Sequence, residues 1–523
     1  MLKRLARYCF IPLFVAIAGA ALLNASLTGD GYEYVLTMHA LSEHGSFEIT
    51  QADVASLQHS AGSVPFYAVT LGDLMPYILE HLRAPEKTPA FTYTIMPNET
   101  GRFYGIHFGL YSLLALPFYL LLKPFGAYPH YAFALLNLAF CAGACEVVRR
   151  AMPGRAVLAM LLFLLSGTTF YLNWTGPEVL TASCVLVACV ATLRGQPGLA
   201  ILCAGLAASQ NPPIFLLIPF AVFYRILLAR YPALQWPDSI AAAWNRREAL
   251  LAAAGVLLAL APYAFFQATF GTPSVIARHF NDPAFITGAR LFSLFFDLNQ
   301  GMIVGIPGVA LALLLGLVLL PRQRRGPWLA ASALLLGVTI LMALPALSTV
   351  NWNSGGVVMT RYSYWLGMPL LALVLLAVRQ SPPQSTPQST PQSGPVVLLG
   401  GLALQALLLA STGLLGGKTA YTEHALPARW VLAHFPHYYN PEAEIFHART
   451  QQAVTLPLPP DSVSVFSVDG RPTKIMRHRS NRQAPAGMCA AGQELQGHDL
   501  RRVTRDWDYL HAPFSCAAPS RPS

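Results

Sequence analysis

The chain has 523 residues, of which 54% are hydrophobic and only 11% charged, against about 25% charged in an ordinary soluble domain. So much apolar surface with so few charges excludes a soluble enzyme, a disordered chain and a fibre, and leaves a polytopic helical membrane protein. The net charge of +10 then matters through the side of the membrane its basic residues take, and is not a nucleic-acid footprint.

The N-terminus, MLKRLARYC, precedes an apolar run over 9–27, and Lys3, Arg4 and Arg7 predict a cytoplasmic start, with a cleaved signal peptide as the plainer reading. Further apolar segments follow near 107–126, 130–148, 156–173, 179–194, 197–209, 214–229, 248–267, 302–320, 327–346, 362–378 and 396–415. If every one crossed, Arg149, Arg150, Arg155, Arg194, Arg225, Arg230, Arg246, Arg247, Arg322, Arg324, Arg325 and Arg379 would fall in external loops, against the positive-inside bias. A single segment ahead of Arg149 that fails to cross turns all of them cytoplasmic. The candidate is 107–126, HFGLYSLLALPFYLLLKPFG, which opens on a histidine, contains Pro117 and ends on Lys123-Pro124. It reads as a helix lying in the outer interface or re-entering from it, with an ordinary span as the plainer reading.

The expected fold class is therefore an all-α polytopic membrane bundle of about 11 spans plus juxtamembrane helices, with a small external α/β C-terminal domain. A transmembrane module covers 1–378 with an external first loop at 28–129. A cytoplasmic Pro/Gln/Ser/Thr linker at 379–395 leads to a last span at 396–415 and an external domain at 416–523. Cys489 and Cys516 stand alone together in that tail and are expected to form a disulfide in an oxidising compartment.

Acids are scarce near the apolar runs, which makes each informative. Directly after the first run comes LTGDGYEYVLTMHALSEHGSFE, with Asp30 within a turn or two of the membrane edge. Tyr34, Met38 and Leu41 are spaced as an amphipathic helix whose polar face carries Glu33 and His44. Glu178, in NWTGPE, lies at the same outer boundary beside Trp174. Plainer readings stand beside these: Asp30 as the cap of the helix after Gly29, and Glu178 as a favourable charge opening the next helix.

This order of features resembles the GT-C superfamily of membrane glycosyltransferases, including the protein mannosyltransferases and the lipid A aminoarabinose transferases. Asp30 and Tyr34 fall as in the family's D-E-x-x-Y pattern, and Leu41 and Gly45 as in L-x-x-x-G. Thr100-Gly101-Arg102 precede the apolar juxtamembrane helix, RRAMPGR makes a basic turn, and Glu178 lies on an outer loop. Gly31 stands where the family has its second acid, and Gln210-Asn211 where many relatives carry a basic residue. The resemblance covers roughly residues 1–380. It implies an inverting transfer of a hexosyl or pentosyl group from a polyprenyl-phosphate sugar to a glycan, lipid or protein of the cell envelope, at a periplasmic active site of the inner membrane.

In such a reaction the acceptor hydroxyl is a poor nucleophile, and a carboxylate must take its proton as the bond to the anomeric carbon forms. Asp30 is assigned that role, with Glu178 as the second catalytic acid. The leaving phosphate needs positive charge rather than an acid, from Arg102, Arg278, Arg290 or Arg361, the last beside Tyr362 and Tyr364. The expected substrate-binding set is Glu33, Tyr34, Arg102, His107, His279, Arg290 and Arg361. The loop at 268–301 carries His279, Asp282 and Asp297 and a Phe-rich stretch suited to the interface.

A divalent metal has candidate ligands in Glu33, His44, His107, His279 and Asp282, without H-x-x-x-H spacing to support it. The absence of a P-loop, a G-x-G-x-x-G and a G-x-S-x-G disfavours a nucleotide-driven transporter. A lipid-linked sugar flippase would require charged residues in mid-span and repeated halves. An oligosaccharide ligase or polymerase, and a catalytically silent relative, remain as alternatives.

Overall fold

The computed structural model describes residues 18, 19, 22, 25–66, 69–87, 94–230, 244–306, 322–352, 360–380, 393–409, 422–453, 458–481, 484–485, 487–490, 493–502 and 506–518. Most of the first apolar run, most of the run at 302–320, most of the 379–395 linker and the end of the last run lie outside the described residues.

In chain order the helices are α1 (Gly31–His44), α2 (Gln51–Ala61), α3 (Leu71–Arg83), α4 (Leu110–Leu122), α5 (His130–Ala151) and α6 (Ala156–Phe163). There follow α7 (Glu178–Leu193), α8 (Pro197–Ala208), α9 (Leu217–Arg230), α10 (Arg246–Phe270), α11 (Val275–His279) and α12 (Gly288–Phe296). The series ends with α13 (Arg322–Leu347), α14 (Arg361–Arg379), α15 (Ser393–Leu409), α16 (Leu426–His434) and α17 (Ala443–Gln451). The strands are β1 (Pro65–Phe66), β2 (Val69–Thr70), β3 (Ile95–Pro97), β4 (Phe103–Gly105), β5 (Val463–Val468), β6 (Arg471–His478), β7 (Glu494–Arg502) and β8 (Trp507–Ala517). The chain divides into two compact units.

The first unit comprises Met1–Phe280, Gly308–Met342 and Tyr364–Leu402. Its long first loop is folded rather than open. Thr50 with Asp53, and Thr70 with Asp73, form capping boxes that start α2 and α3. The β3–β4 hairpin turns on Asn98, whose Oδ1 accepts the amides of Thr100 and Arg102, with Gly101 at φ 78°.

The expected count of about 11 spans is overturned. Among the described residues four helices are long and apolar enough to cross a membrane: His130–Ala151, Arg246–Phe270, Arg325–Leu347 and Arg361–Arg379. The runs at 156–173, 179–194, 197–209 and 214–229 fold as shorter helices. The first is broken at Ser166 and Gly167, whose backbone leaves the helical region. The helix α7 has 16 residues, about 24 Å at ~1.5 Å per residue, against a hydrocarbon core of about 30 Å. Every residue of α7 is buried by protein. A helix enclosed in a protein core is apolar all round for the same reason as one in lipid, so composition alone does not separate them. Between α8 and α10 the backbones touch: a Cβ on Gly205 would lie 1.9 Å from the Gly255 carbonyl, and one on Gly255 2.3 Å from that of Ile201.

The second unit comprises Asn281–Pro307, Ala343–Ser363 and Ala403–Ser523, so the C-terminal segment folds together with two pieces of earlier chain. Its sheet is antiparallel in the order β5-β6-β8-β7. The β5–β6 hairpin turns through Asp469 and Gly470, both at positive φ. Ala428 and Leu432 of α16 and Phe446 of α17 pack with Met476, Trp507 and Tyr509 of the sheet in one core. A second core gathers Ile475, Leu495 and Leu510, with Cys489 against it, and Cys489 is disulfide-bonded to Cys516.

Candidate active site

α1 follows the predicted position but not the predicted face. Everything from Gly31 to Ala40 is buried, so Glu33 does not line an exposed polar surface. Its carboxylate is 1% exposed and turned against the residues after β4: Oε1 accepts the His107 amide at 2.8 Å, and Oε2 lies 2.8 Å from His107 Nδ1. Gly105 makes room for it, because a Cβ there would come 2.3 Å from Glu33 Oε1. Burial pushes the Glu33 carboxyl above its ordinary value, and the neighbouring His107 partly offsets this.

On the other side of the imidazole, His107 Nε2 lies 3.8 Å from Asp30 Oδ2, and the Asp30 side chain is 27% exposed. Asp30 occupies the N-cap position of α1, yet its side chain makes no capping hydrogen bond. The capping explanation for this acid therefore fails. Three titratable groups stand in line from a buried acid through a histidine to an accessible acid. The Tyr34 ring packs 5.4 Å from that of His107 and edge-on to that of Tyr111 at 5.3 Å.

The strand-like segment before α1 pairs with the one before α7. Ser26 bridges Trp174 in parallel, the Ser26 amide donates to the Asn173 carbonyl at 2.9 Å, and Thr175 Oγ1 donates to the Ser26 carbonyl. The chain entering Asp30 thus runs beside the chain entering Glu178. Gly31 is required at this crossing, since a Cβ would meet Leu27 at 2.9 Å and Thr175 at 3.1 Å. What reads in the sequence as a missing acid is a packing requirement.

Glu178 is buried and folds back over Gly176. Tyr111 OH donates to the Gly176 carbonyl at 2.6 Å, and Asn137 Nδ2 donates to that of Trp174 at 3.0 Å. Tyr111, Asn137 and Gly176 were not anticipated. The one available signal was a lone amide in the apolar run of α5.

Arg102 lies on the hairpin of the first unit, its side chain 3.7 Å from Glu48, and His279 is exposed at the end of α11. Arg290 and Arg361 belong to the second unit. Arg290 is buried: its guanidinium donates to the Leu347 and Thr349 carbonyls, lies 3.6 Å from both Glu442 and Glu444, and covers the rings of Phe285 and Trp352. Arg361 lies over Tyr362, which stacks on Trp352. Among the described residues no group of three or more His, Cys, Asp or Glu is placed to hold a metal ion. No family model, no curated protein and no solved structure matches the chain.

Proposed function

We propose that the chain is an inverting membrane glycosyltransferase that moves a sugar from a polyprenyl-phosphate donor to a hydroxyl of a cell-envelope acceptor, with Asp30 as general base. The observation that carries this reading is the line Glu33–His107–Asp30, in which only the last acid reaches solvent. The order of motifs shared with GT-C enzymes supports the donor class. Helices long enough to cross a membrane supply the setting a lipid-linked donor needs, and Arg149 and Arg150 at the C-terminal end of α5 support a reading with the first loop on the outer face of the cytoplasmic membrane.

In the reaction the acceptor O–H gives its proton to the Asp30 carboxylate while its oxygen bonds to the anomeric carbon. The bond from that carbon to the phosphate oxygen breaks, and its electron pair leaves with the lipid phosphate. One displacement inverts the anomeric centre. Glu33 fixes the imidazole through Nδ1, so that Nε2 faces the Asp30 carboxylate at 3.8 Å. Arg102, exposed on the β3–β4 hairpin of this unit, is the cation assigned to offset charge on the phosphate.

The test is to incubate the purified chain with a panel of polyprenyl-phosphate sugars and follow loss of the lipid donor. Asp30→Asn is expected to slow transfer on the order of 10²–10⁴-fold, the usual contribution of a general base. An unchanged rate in that variant would remove Asp30 from the mechanism. Failure of the unsubstituted chain to consume any donor would overturn the reaction class.

A further inference from the structure

Two helices of the second unit turn aromatic side chains outward. On α12, GARLFSLFF, the residues Arg290, Ser293 and Leu294 point inward, while Phe292 is 59% exposed and its ring lies 5.0 Å from that of exposed Phe296. On α16, LPARWVLAH, Ala428 and Leu432 face the core, and Arg429 and Trp430 face away from it. Trp430 is 56% exposed and Tyr438, just beyond the helix, 84%. The rings of Trp430, Phe435 and Tyr438 continue one another at 5.6 and 6.5 Å. Aromatic surface of this kind on a folded unit marks a site of contact.

The bonds that hold α12 identify what it contacts. Arg290 Nη1 donates at 2.9 Å to the carbonyl of Leu347, the last residue of a membrane-length helix. Ser363 Oγ, in the first turn of the next membrane-length helix, donates to the Leu294 carbonyl at 3.0 Å. Within the second unit α12 is thus bonded to the last residue of one membrane-length helix and the first turn of the next, and the ends of such helices are the parts that meet lipid headgroups. A short helix held there, with an apolar outer side, rests in the plane of the interface.

The loop after α12 extends this level to α16. Asn299 Oδ1 accepts the amide of Ala425, the residue that opens α16, at 2.9 Å, and Asn299 Nδ2 donates to Tyr439 Oη at 2.8 Å. Leu298 packs against the core that holds Ala428 and Leu432. Trp and Tyr with a neighbouring Arg is the composition of a membrane–water boundary.

We propose that α12 and α16 form one docking surface of the second unit for a phospholipid bilayer, with Phe292, Phe296 and Trp430 inserted at the headgroup–acyl boundary and Arg429 directed to lipid phosphate. This surface is independent of the glycosyl-transfer reading. Neither side chain chosen for substitution is buried, so the fold survives the test, and the intact Cys489–Cys516 bridge, read as a mobility change on reduction, reports on the second unit.

The full chain is reconstituted in phosphatidylcholine–phosphatidylglycerol nanodiscs with Phe292→Cys or Trp430→Cys labelled by a polarity-sensitive dye, the unsubstituted chain serving as the blank. At both positions the expected result is a blue-shifted emission that is lost to a nitroxide near the headgroup end of the acyl chain more than to one at its methyl end. Aqueous iodide should leave the emission unchanged. Water-like emission quenched by iodide and indifferent to lipid nitroxides, at either position, would overturn the paired surface.

Discussion

Glu33 titrates in a place water does not reach, and its burial has a thermodynamic signature. In the unfolded chain its carboxyl ionises near 4.5, whereas in the folded chain burial moves that event to higher pH. The folded state therefore holds the extra proton. The resulting stabilisation is full below about 4.5 and is lost as pH rises through the folded value. Glu33→Gln cannot titrate and is expected to flatten that part of the stability–pH curve, read by thermal unfolding in detergent. Because it also loosens His107, transfer should fall roughly 10- to 100-fold, the equivalent of the ~1.5–3 kcal/mol of a charged hydrogen bond. A variant with the original pH profile would show that Glu33 is not the buried acid described. Gly105→Ala attacks the same pair from behind, since its Cβ needs the space of Glu33 Oε1. It should cost about 1–3 kcal/mol of stability and lower transfer without removing any group that titrates. Asp30 was legible in the sequence because acids are rare beside apolar runs. Its connection to Glu33 was not, because the histidine that joins them lies 74 residues from Glu33, and no spacing rule spans that distance.

Helix boundaries and helix contacts carry the difference between the expected and observed architecture. Apolar run length reports that a segment avoids water, but not whether lipid or protein replaces the water. α7, enclosed on every side, and α10, with Leu250, Leu257 and Leu260 exposed along it, look alike as strings of Leu, Ala and Val. What separates them is the glycine placement on their neighbours, which acquires meaning only once the partner is known. The touching backbones of α8 and α10 give this a direct test. Gly205→Ala places a methyl group against the Gly255 carbonyl and should destabilise by at least ~1–3 kcal/mol, seen as a lower midpoint of thermal unfolding. Gly143→Ala, where a Cβ meets nothing within 4 Å, should leave the midpoint unchanged or slightly raised. Equal midpoints for the two variants would mean that the helices do not meet at Gly205. In the C-terminal segment the cysteine pair was readable because it depends on counting. Replacing both Cys489 and Cys516 by Ser opens a loop of 27 residues and should cost about 3–4 kcal/mol on the loop-entropy scale, measured as earlier proteolysis of the C-terminal segment.

At the scale of the whole chain, the orientation rests on one span and its two ends. α5 is 22 residues long and apolar enough to cross a membrane. Its C-terminal turn carries Arg149 and Arg150, both paired with Glu146, while just before its N-terminus Tyr128 OH meets Ser63 of the folded first loop at 2.8 Å. If the basic end is cytoplasmic, the first loop, with Asp30 behind it, faces outward, where a lipid-linked donor on the outer leaflet would present its phosphate. Single cysteines at Glu99, exposed on the β3–β4 hairpin, and at Arg150, exposed at the far end of α5, separate the cases. A membrane-impermeant maleimide added to intact cells should label Glu99→Cys and spare Arg150→Cys, and permeabilising the inner membrane should make Arg150→Cys reactive. Labelling of both from outside would mean that α5 does not cross. Labelling of Arg150→Cys alone would invert the chain, placing Asp30 against the cytoplasmic leaflet and requiring a donor presented from that side.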